Sequence, residues 1–304
     1  MTSSESVVDG LRLALPWLQL YRGATFVVKL GGSALDEGAA VQPLLEQLAM
    51  LHLLGMRLVV VHGGGNQITR AAEARGIPTR KVDGRRITDA PMRDVVVDVL
   101  QGTVRQTLLD GFAAAGVEAV GMSGSDSVIH AQRRAPTVEE GETIDWGYVG
   151  DVVSVDPAPI EAQLRLGAVV CMSPLSVDAD GATLNTNADV AAASVAVALE
   201  ARKLLMVSDV PGLLSDPSDP ESLVVMTDLA GLDRLQASGA LSGGMLPKVD
   251  CIRRALRGGV PRAHVIAHTM ADAVLREVFT NEGAGTLIVP DMAAVAAAAS
   301  AAAG

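Results

Sequence analysis

Short apolar, β-branched runs that stop abruptly at glycine constrain this chain more than any other feature. Thr25–Leu30 runs into Gly31-Gly32, and residues 58–61 run into His62-Gly63-Gly64-Gly65. Further strand-like runs lie at 119–122, 168–172, 204–207 and 263–266. Between them, helical periodicity is expected over 40–54, 91–115, 160–166, 190–199, 229–238, 245–257 and 269–279. Such alternation predicts an α/β protein with a largely parallel sheet. Ligands of these sheets sit beyond the carboxyl ends of the strands, where the glycines fall.

The chain has 304 residues, 49% hydrophobic and 19% charged, enough for a sizeable core and about two domains. Disorder is excluded on the same ground. A net charge of −11 argues against a nucleic-acid-coating surface. An anionic substrate must therefore be held by a local cluster of donors. With 2 Trp, 2 Tyr and 3 Phe, base-stacking platforms are not expected either. The 2 cysteines, Cys171 and Cys251, read as buried, reduced thiols. The apolar stretch 48–61 is broken by His52 and Arg57, and residues 1–9 lack a signal-peptide pattern. A soluble, cytoplasmic protein is expected, with no membrane span.

Val8, Leu11, Leu15 and Leu18 predict an amphipathic helix ahead of Gly23, kinked or restarted at Pro16. Its stripe suits packing on its own domain or on another subunit. The polar stretch 178–182 reads as a hairpin or loop between halves. The Ala-rich end, 292–304, reads as a frayed or weakly helical tail.

Both glycine turns can present backbone N–H groups. The second opens a helix expected over 67–75, which adds the positive end of its dipole. Neither is a Walker loop or a dinucleotide fingerprint. One glycine turn alone is only a tight turn. Two of them at strand ends, with Lys29 beside the first, point to an anion. Ser242-Gly243-Gly244-Met245-Leu246-Pro247-Lys248 again sets glycines and a lysine at a helix entrance. Alone it would be an ordinary first turn with a solvated lysine. Asn185-Thr186-Asn187-Ala188-Asp189 precedes an Ala/Val-rich helix. One of its polar side chains suffices as a cap, worth ~1 kcal/mol, and the others exceed that need. Asp209 closes a strand where a nucleotide would lie in an open sheet. No Ser-His-Asp set is evident, and the 5 histidines show no metal-ligand spacing. Lysines, glycine amides and one organising carboxylate suit phosphoryl transfer, which needs charge neutralised and reactants aligned.

The motifs, in order, are VKLGGSA (28–34), VVHGGGNQI (60–68), DGRRIT (83–88), GMSGSD (121–126), GYVGDV (147–152), LNTNAD (184–189), SDVPGLL (208–214), SGGMLPK (242–248) and FTNEGAGTLI (279–288). With them the chain resembles the amino acid kinase family over roughly residues 25–290. The resemblance implies a three-layer sandwich around a central, mainly parallel sheet. It implies an oligomerisation helix at 1–24, an acyl-amino-acid lobe at 25–180 and an ATP lobe at 181–304. The implied reaction is ATP-dependent phosphorylation of the side-chain carboxylate of N-acetyl-L-glutamate, a step of arginine biosynthesis, with Mg2+ held through the nucleotide.

Carried over by motif, Lys29 and Lys248 are the catalytic pair, and Asp189 positions them. Gly64, Gly65, Arg86 and Asn185 bind the acyl amino acid. Gly31, Gly32, Asp209 and Ser242 serve the nucleotide, with Gly31, Gly32 and Gly64 giving amides at the transfer centre. The N-terminal helix resembles the extension that joins dimers into a hexameric ring in arginine-inhibited members. A homo-oligomer, dimer or hexamer, is thus expected, with Tyr21, Glu277 and Gly283 as arginine contacts. Docking of a PII-type signalling protein is left open. Ser125 departs from the family pattern, which often has a lysine there.

Two rivals remain at this level. A carrier-protein-linked aminoadipate kinase of lysine biosynthesis would need a strongly basic substrate mouth to receive an acidic carrier. The overall charge and the 184–189 and 242–248 motifs lean against it. A non-catalytic nucleotide or arginine sensor would not need Lys29, Asp189 and Lys248 together.

Overall fold

A computed structural model of the chain describes residues 4–302 other than Gly32, Glu37, Asp83 and Glu140. From α1 (Ser4–Tyr21) the chain enters β1 (Thr25–Leu30), α2 (Gly38–Leu53), β2 (Arg57–His62) and α3 (Gly65–Ala74). The hairpin of β3 (Lys81–Val82) and β4 (Arg85–Arg86) leads to α4 (Ala90–Asp98), a π-helical stretch (Val99–Val104), α5 (Arg105–Ala114) and β5 (Ala119–Ser123). A strand-rich excursion follows: β6 (Ile129–Arg133), β7 (Thr137–Glu139), β8 (Glu142–Ile144) and β9 (Gly150–Val155). Next come α6 (Ala158–Arg165), β10 (Val169–Ser173), β11 (Leu175–Val177), β12 (Thr183–Asn185), α7 (Ala188–Ala198) and β13 (Lys203–Ser208). The chain continues through β14 (Met226–Asp228), α8 (Leu229–Ala237) and α9 (Met245–Arg257). It ends with β15 (Ala263–Ala267), α10 (Ala273–Phe279), β16 (Gly285–Val289) and α11 (Met292–Ala302).

The main sheet has the order β14-β16-β15-β13-β1-β2-β10-β5. The strands from β15 to β5 run parallel, while β16 pairs antiparallel with β15 and parallel with β14. β1 lies in the middle. The chain first lays β2 on one side of it and later, through α7, lays β13 on the other. The strand order therefore reverses beside the carboxyl end of β1, which opens a crevice there.

Alternation along β1 divides the core into two layers. Phe26, Val28 and Leu30 pack with Leu45 and Leu48 of α2, Phe112 of α5 and Val274 of α10. Val27 packs on the opposite face, with Ala191 and Val195 of α7 and Ile252 of α9. Small buried alanines let α7 lie close against the sheet. The result is the expected three-layer sandwich. Lys29, two residues after Val27, must project into the α7/α9 layer at the sheet's carboxyl edge.

The strands and helices read from the periodicity are present, with three differences. α1 is continuous through Pro16 instead of restarting. Proline removes a single bond there, to the exposed Arg12, whose carbonyl can be met by water. The helix expected over 91–115 is interrupted by the π-helical stretch. The helix expected from 269 begins at Ala273. A second sheet, β12-β11-β6-β9, and the hairpins β3–β4 and β7–β8 had no counterpart among the expectations. Stretch 178–182 is the β11–β12 turn, with Asp178 accepting from the N–H groups of Asp180 and Ala182. Among the described residues no helix is long and apolar enough to cross a membrane. Both cysteines are buried free thiols, and burial pushes each up to about 12, which keeps them unreactive.

Phe112 is fully buried against α2, so Phe112→Ala should cost about 3–5 kcal/mol and lower the urea midpoint. An unchanged midpoint would mean that α5 does not form the core. His62, which closes β2, is also fully buried; burial, reinforced by nearby Arg105, pushes its imidazole down to about 4. Above pH 6.5 it is neutral in both folded and unfolded chains. Between about 6.5 and about 4 the unfolded chain takes up a proton that the folded chain refuses. Stability should fall across that window by up to about 1.4 kcal/mol per pH unit from this group. His62→Leu should flatten that portion of a urea-midpoint-versus-pH curve; parallel curves would exclude it.

Candidate active site

Three charges from distant parts of the chain meet at the carboxyl edge of β1. The Lys29 ammonium lies 2.8 Å from Oδ1 of Asp189, and the Lys248 ammonium 3.6 Å from Oδ2. All three side chains are nearly buried. Each is delivered by an element end: the close of β1, the first turn of α7 and the first turn of α9. Asn187 is the cap of α7, its Oδ1 accepting from Asp189 N at 2.8 Å and Val190 N at 3.2 Å. With the cap provided by Asn187, the Asp189 carboxylate is free to pair with the lysines. Burial works to raise its pKa, but the attraction of Lys29 and Lys248 prevails and holds it below the usual carboxylate range. Burial pulls the Lys248 ammonium below its ordinary value, against the pull of Asp189.

Lys29 opens onto a cavity of about 240 Å³ whose walls include Gly64, Gly65, Arg86, Asn185 and Asn187. Arg86 is buried, and its guanidinium donates to Gly65 O (2.9 Å), Thr69 Oγ1 (2.8 Å) and Thr79 Oγ1 (3.3 Å). No carboxylate lies within ion-pair distance of it among the described residues, and burial lowers its pKa. A buried guanidinium without an internal acid is electrostatically suited to an anionic ligand. Gly64 stands at the start of α3, where no side chain caps the helix. A Cβ on Gly64 would approach Leu100 Cδ2, in the π-helical stretch, to 2.7 Å, so a larger residue there would have to push the Leu100 side chain aside. Asn185 donates from Nδ2 to Thr88 Oγ1 at 3.0 Å.

Three further cations, Lys81, Arg85 and Arg134, line the same cavity beside Asp151. They had not been singled out from the sequence, although Arg85 stands inside the DGRRIT motif. The donor cluster expected in an acidic chain is thus present. Thr88, at the end of that motif, was missed as well.

The other expected positions are distributed as follows. Gly31 lies beside Lys29, but its N–H donates to Val207 O at 3.3 Å, so that amide is engaged within the fold. Gly32 lies outside the described residues. Asp209 directly follows β13, accepts from Ser33 Oγ and, at 2.9 Å, pairs with His268 Nε2. The Ser33 bond first, then His268, holds its carboxyl below the usual range. Ser242 is exposed in the loop before α9, and its hydroxyl makes no hydrogen bond among the described residues. Ser125, in the position often held by a lysine, bonds Ser123 Oγ at 2.7 Å.

Tyr21, Glu277 and Gly283 do come together, around a lysine the sequence had not marked. Lys203 lies 4.8 Å from the centroid of the buried Tyr21 ring, and its ammonium donates to Glu277 O at 3.5 Å. Burial pushes Lys203 down to about 7, and nearby Arg262 adds to this. The Glu277 carboxylate is occupied by His264 Nδ1 at 2.5 Å and Ala284 N at 2.6 Å. Gly283 has φ +69° and would bring a Cβ to 2.9 Å from Glu277 Oε2, which explains glycine there.

The description of the amino acid kinase family matches residues 24–267. An acetylglutamate kinase of Myxococcus xanthus (strain DK1622) is 43% identical over 300 residues, covering 96% of this chain and 97% of that protein. Among solved structures, an N-acetylglutamate synthase from Neisseria gonorrhoeae, complexed with coenzyme A and N-acetyl-glutamate, is similar with a TM-score of 0.82 at 29% identity over 93% of this chain. The present chain spans 63% of that longer one. A carbamate kinase from Giardia lamblia bound to AMP-PNP shares the fold, with a TM-score of 0.64 at 17% identity over 88% of this chain and 99% of that one. By the extent of the family match and the identity to full-length relatives, the chain belongs to the amino acid kinase family.

Proposed function

We propose that this protein transfers the γ-phosphoryl group of ATP to the side-chain carboxylate of N-acetyl-L-glutamate, giving N-acetyl-L-glutamyl 5-phosphate and ADP. The observation that carries this reading is the Lys29–Asp189–Lys248 cluster, opening onto a cavity that also holds the Arg86 guanidinium, which has no carboxylate within ion-pair distance among the described residues. Arg86 holds the α-carboxylate through the charge that its neutral partners leave uncancelled, with Asn185 alongside. That leaves the other carboxylate directed toward Lys29. A carboxylate nucleophile has no proton to lose, so the site needs no general base. Asp189, kept ionised by its lysines, is a poor base and a good anchor. Its two ammonium partners bear on the charge of the moving phosphoryl group, and the uncapped start of α3 offers N–H groups at Gly64 and Gly65.

In this reading residues 25–180 form the acceptor lobe and 181–304 the nucleotide lobe, with Asn185 reaching the acceptor from the start of the second. Among the described residues no group of three or more His, Cys, Asp or Glu side chains could hold a metal ion. Mg2+ in this reading is brought by the nucleotide and held by its phosphates and water. The exposed Leu11, Leu13 and Leu15 of α1 support assembly into a homo-oligomer. The Tyr21–Lys203–Glu277 cluster supports arginine as an effector, whose guanidinium would compete with His264 for the Glu277 carboxylate. The basic rim of Lys81, Arg85 and Arg134 is the feature that favours the alternative, an acceptor carried on an acidic protein.

Trapping acyl phosphate with hydroxylamine separates these readings. N-acetylglutamate should give hydroxamate in preference to glutamate and free aminoadipate, and arginine should reduce it. Lys29→Ala or Lys248→Ala should lower kcat by about 10²–10³. Arg86→Lys should raise KM for the acceptor with kcat less affected. No hydroxamate from any free acceptor would overturn the proposal.

A further inference from the structure

Asn185 presents a side-chain amide to the cavity, and an amide offers two chemically opposite ends. Which end faces a ligand is decided by what holds the other. Here the holder is the hydroxyl of Thr88, a fully buried residue. Thr88 Oγ1 donates its single hydrogen to Arg86 O at 3.1 Å. It can therefore meet Asn185 only as an acceptor, and it does so from Nδ2 at 3.0 Å. That bond sets the amide with NH2 toward Thr88, and leaves one N–H and the carbonyl oxygen available to a ligand.

We propose that Thr88 is a positioning residue for the acceptor: its hydroxyl ties the Asn185 amide to the Arg86 backbone, so that the spare N–H of Asn185 and the Arg86 guanidinium serve the same carboxylate. The inference rests on the reading above that Arg86 and Asn185 hold the acceptor. The backbone around Thr88 supports such a fixed arrangement. Thr88 N donates to Trp146 O at 3.2 Å, Tyr148 N donates to Thr88 O at 2.7 Å, and Asn185 N donates to Tyr148 O at 2.7 Å. Residues 147–149 are thus held between the two residues whose side chains bond. Gly147 has φ +65°, and a Cβ there would come within 2.3 Å of Thr88 O, which explains glycine at that position. These backbone bonds do not use the hydroxyl, so its role is separable from that of the loop.

The test uses the full chain with Thr88→Val, which removes the hydroxyl at nearly constant shape, and Thr88→Ser, which keeps it. Thermal unfolding is recorded for both. Thr88→Val should raise KM for N-acetylglutamate about ten-fold while KM for ATP and kcat stay near wild type, and Thr88→Ser should restore the wild-type value. In an Asn185→Ala background, Thr88→Val should produce no further rise, because the amide it orients is gone. If Asn185→Ala raises acceptor KM and Thr88→Val does not, or if Thr88→Val shifts KM for ATP equally, the positioning role is overturned while the site reading stands. If Asn185→Ala leaves acceptor KM unmoved, the site reading falls and this inference with it.

Discussion

Asp189 stands between Lys29 and Lys248, and each of the three is brought by an element that no local contact would place beside the others. Without the carboxylate, two ammonium groups would face each other with little water to separate them, and one would give up its proton. With it, the cluster keeps a net positive charge fixed in space and still tolerates burial. The arrangement requires β1 in the middle of the sheet and α7 and α9 together on one face. It also requires both helices to begin at the same edge. The two hydrophobic layers that clamp β1 therefore fix the geometry of the cluster as well as the stability of the fold.

A chain with a net charge of −11 nonetheless gathers a local cluster of cations. Lys29, Lys81, Arg85, Arg86 and Arg134 all line one cavity, with Asp151 among them. At such short range the local set outweighs the distant field, which salt screens. Arg86 is the sharpest case, because its hydrogen-bond partners among the described residues are all neutral oxygens. They orient the fork without cancelling its charge.

The Tyr21–Lys203–Glu277 cluster lies at the opposite, amino end of the same strands. Lys203 pairs in register with Phe26, and Met206 with Lys29, so the two clusters are separated by three residues of strand, roughly 10 Å. One is anchored on β13 through Lys203 and the other on its neighbour β1 through Lys29.

Periodicity and the glycine stops settled the α/β class, the parallel strands and the edge that carries the site, because those signals are local and repeat along the chain. The motifs named Lys29, Asp189, Lys248, Arg86 and Asn185; Lys29, Arg86 and Asn185 line one cavity, and Asp189 pairs with Lys29 and Lys248 beside it. The short strands β6 to β9 and the hairpin β3–β4 escaped notice, since runs of two to six partly exposed residues carry no clear alternation. Individual roles also escaped wherever a partner far along the chain decides them. That Asn187 and not Asp189 is the cap depends on where α7 begins against the sheet. That Gly31 turns its N–H to Val207, that Lys203 is buried beneath Tyr21, and that Thr88 meets Asn185 depend on contacts between residues widely separated in sequence. Sequence determined which chemical groups this protein has and at which strand ends they emerge. Only the tertiary structure decided which of those groups face one another, because pairing across the sheet is set by packing between layers and leaves no periodic trace in the chain.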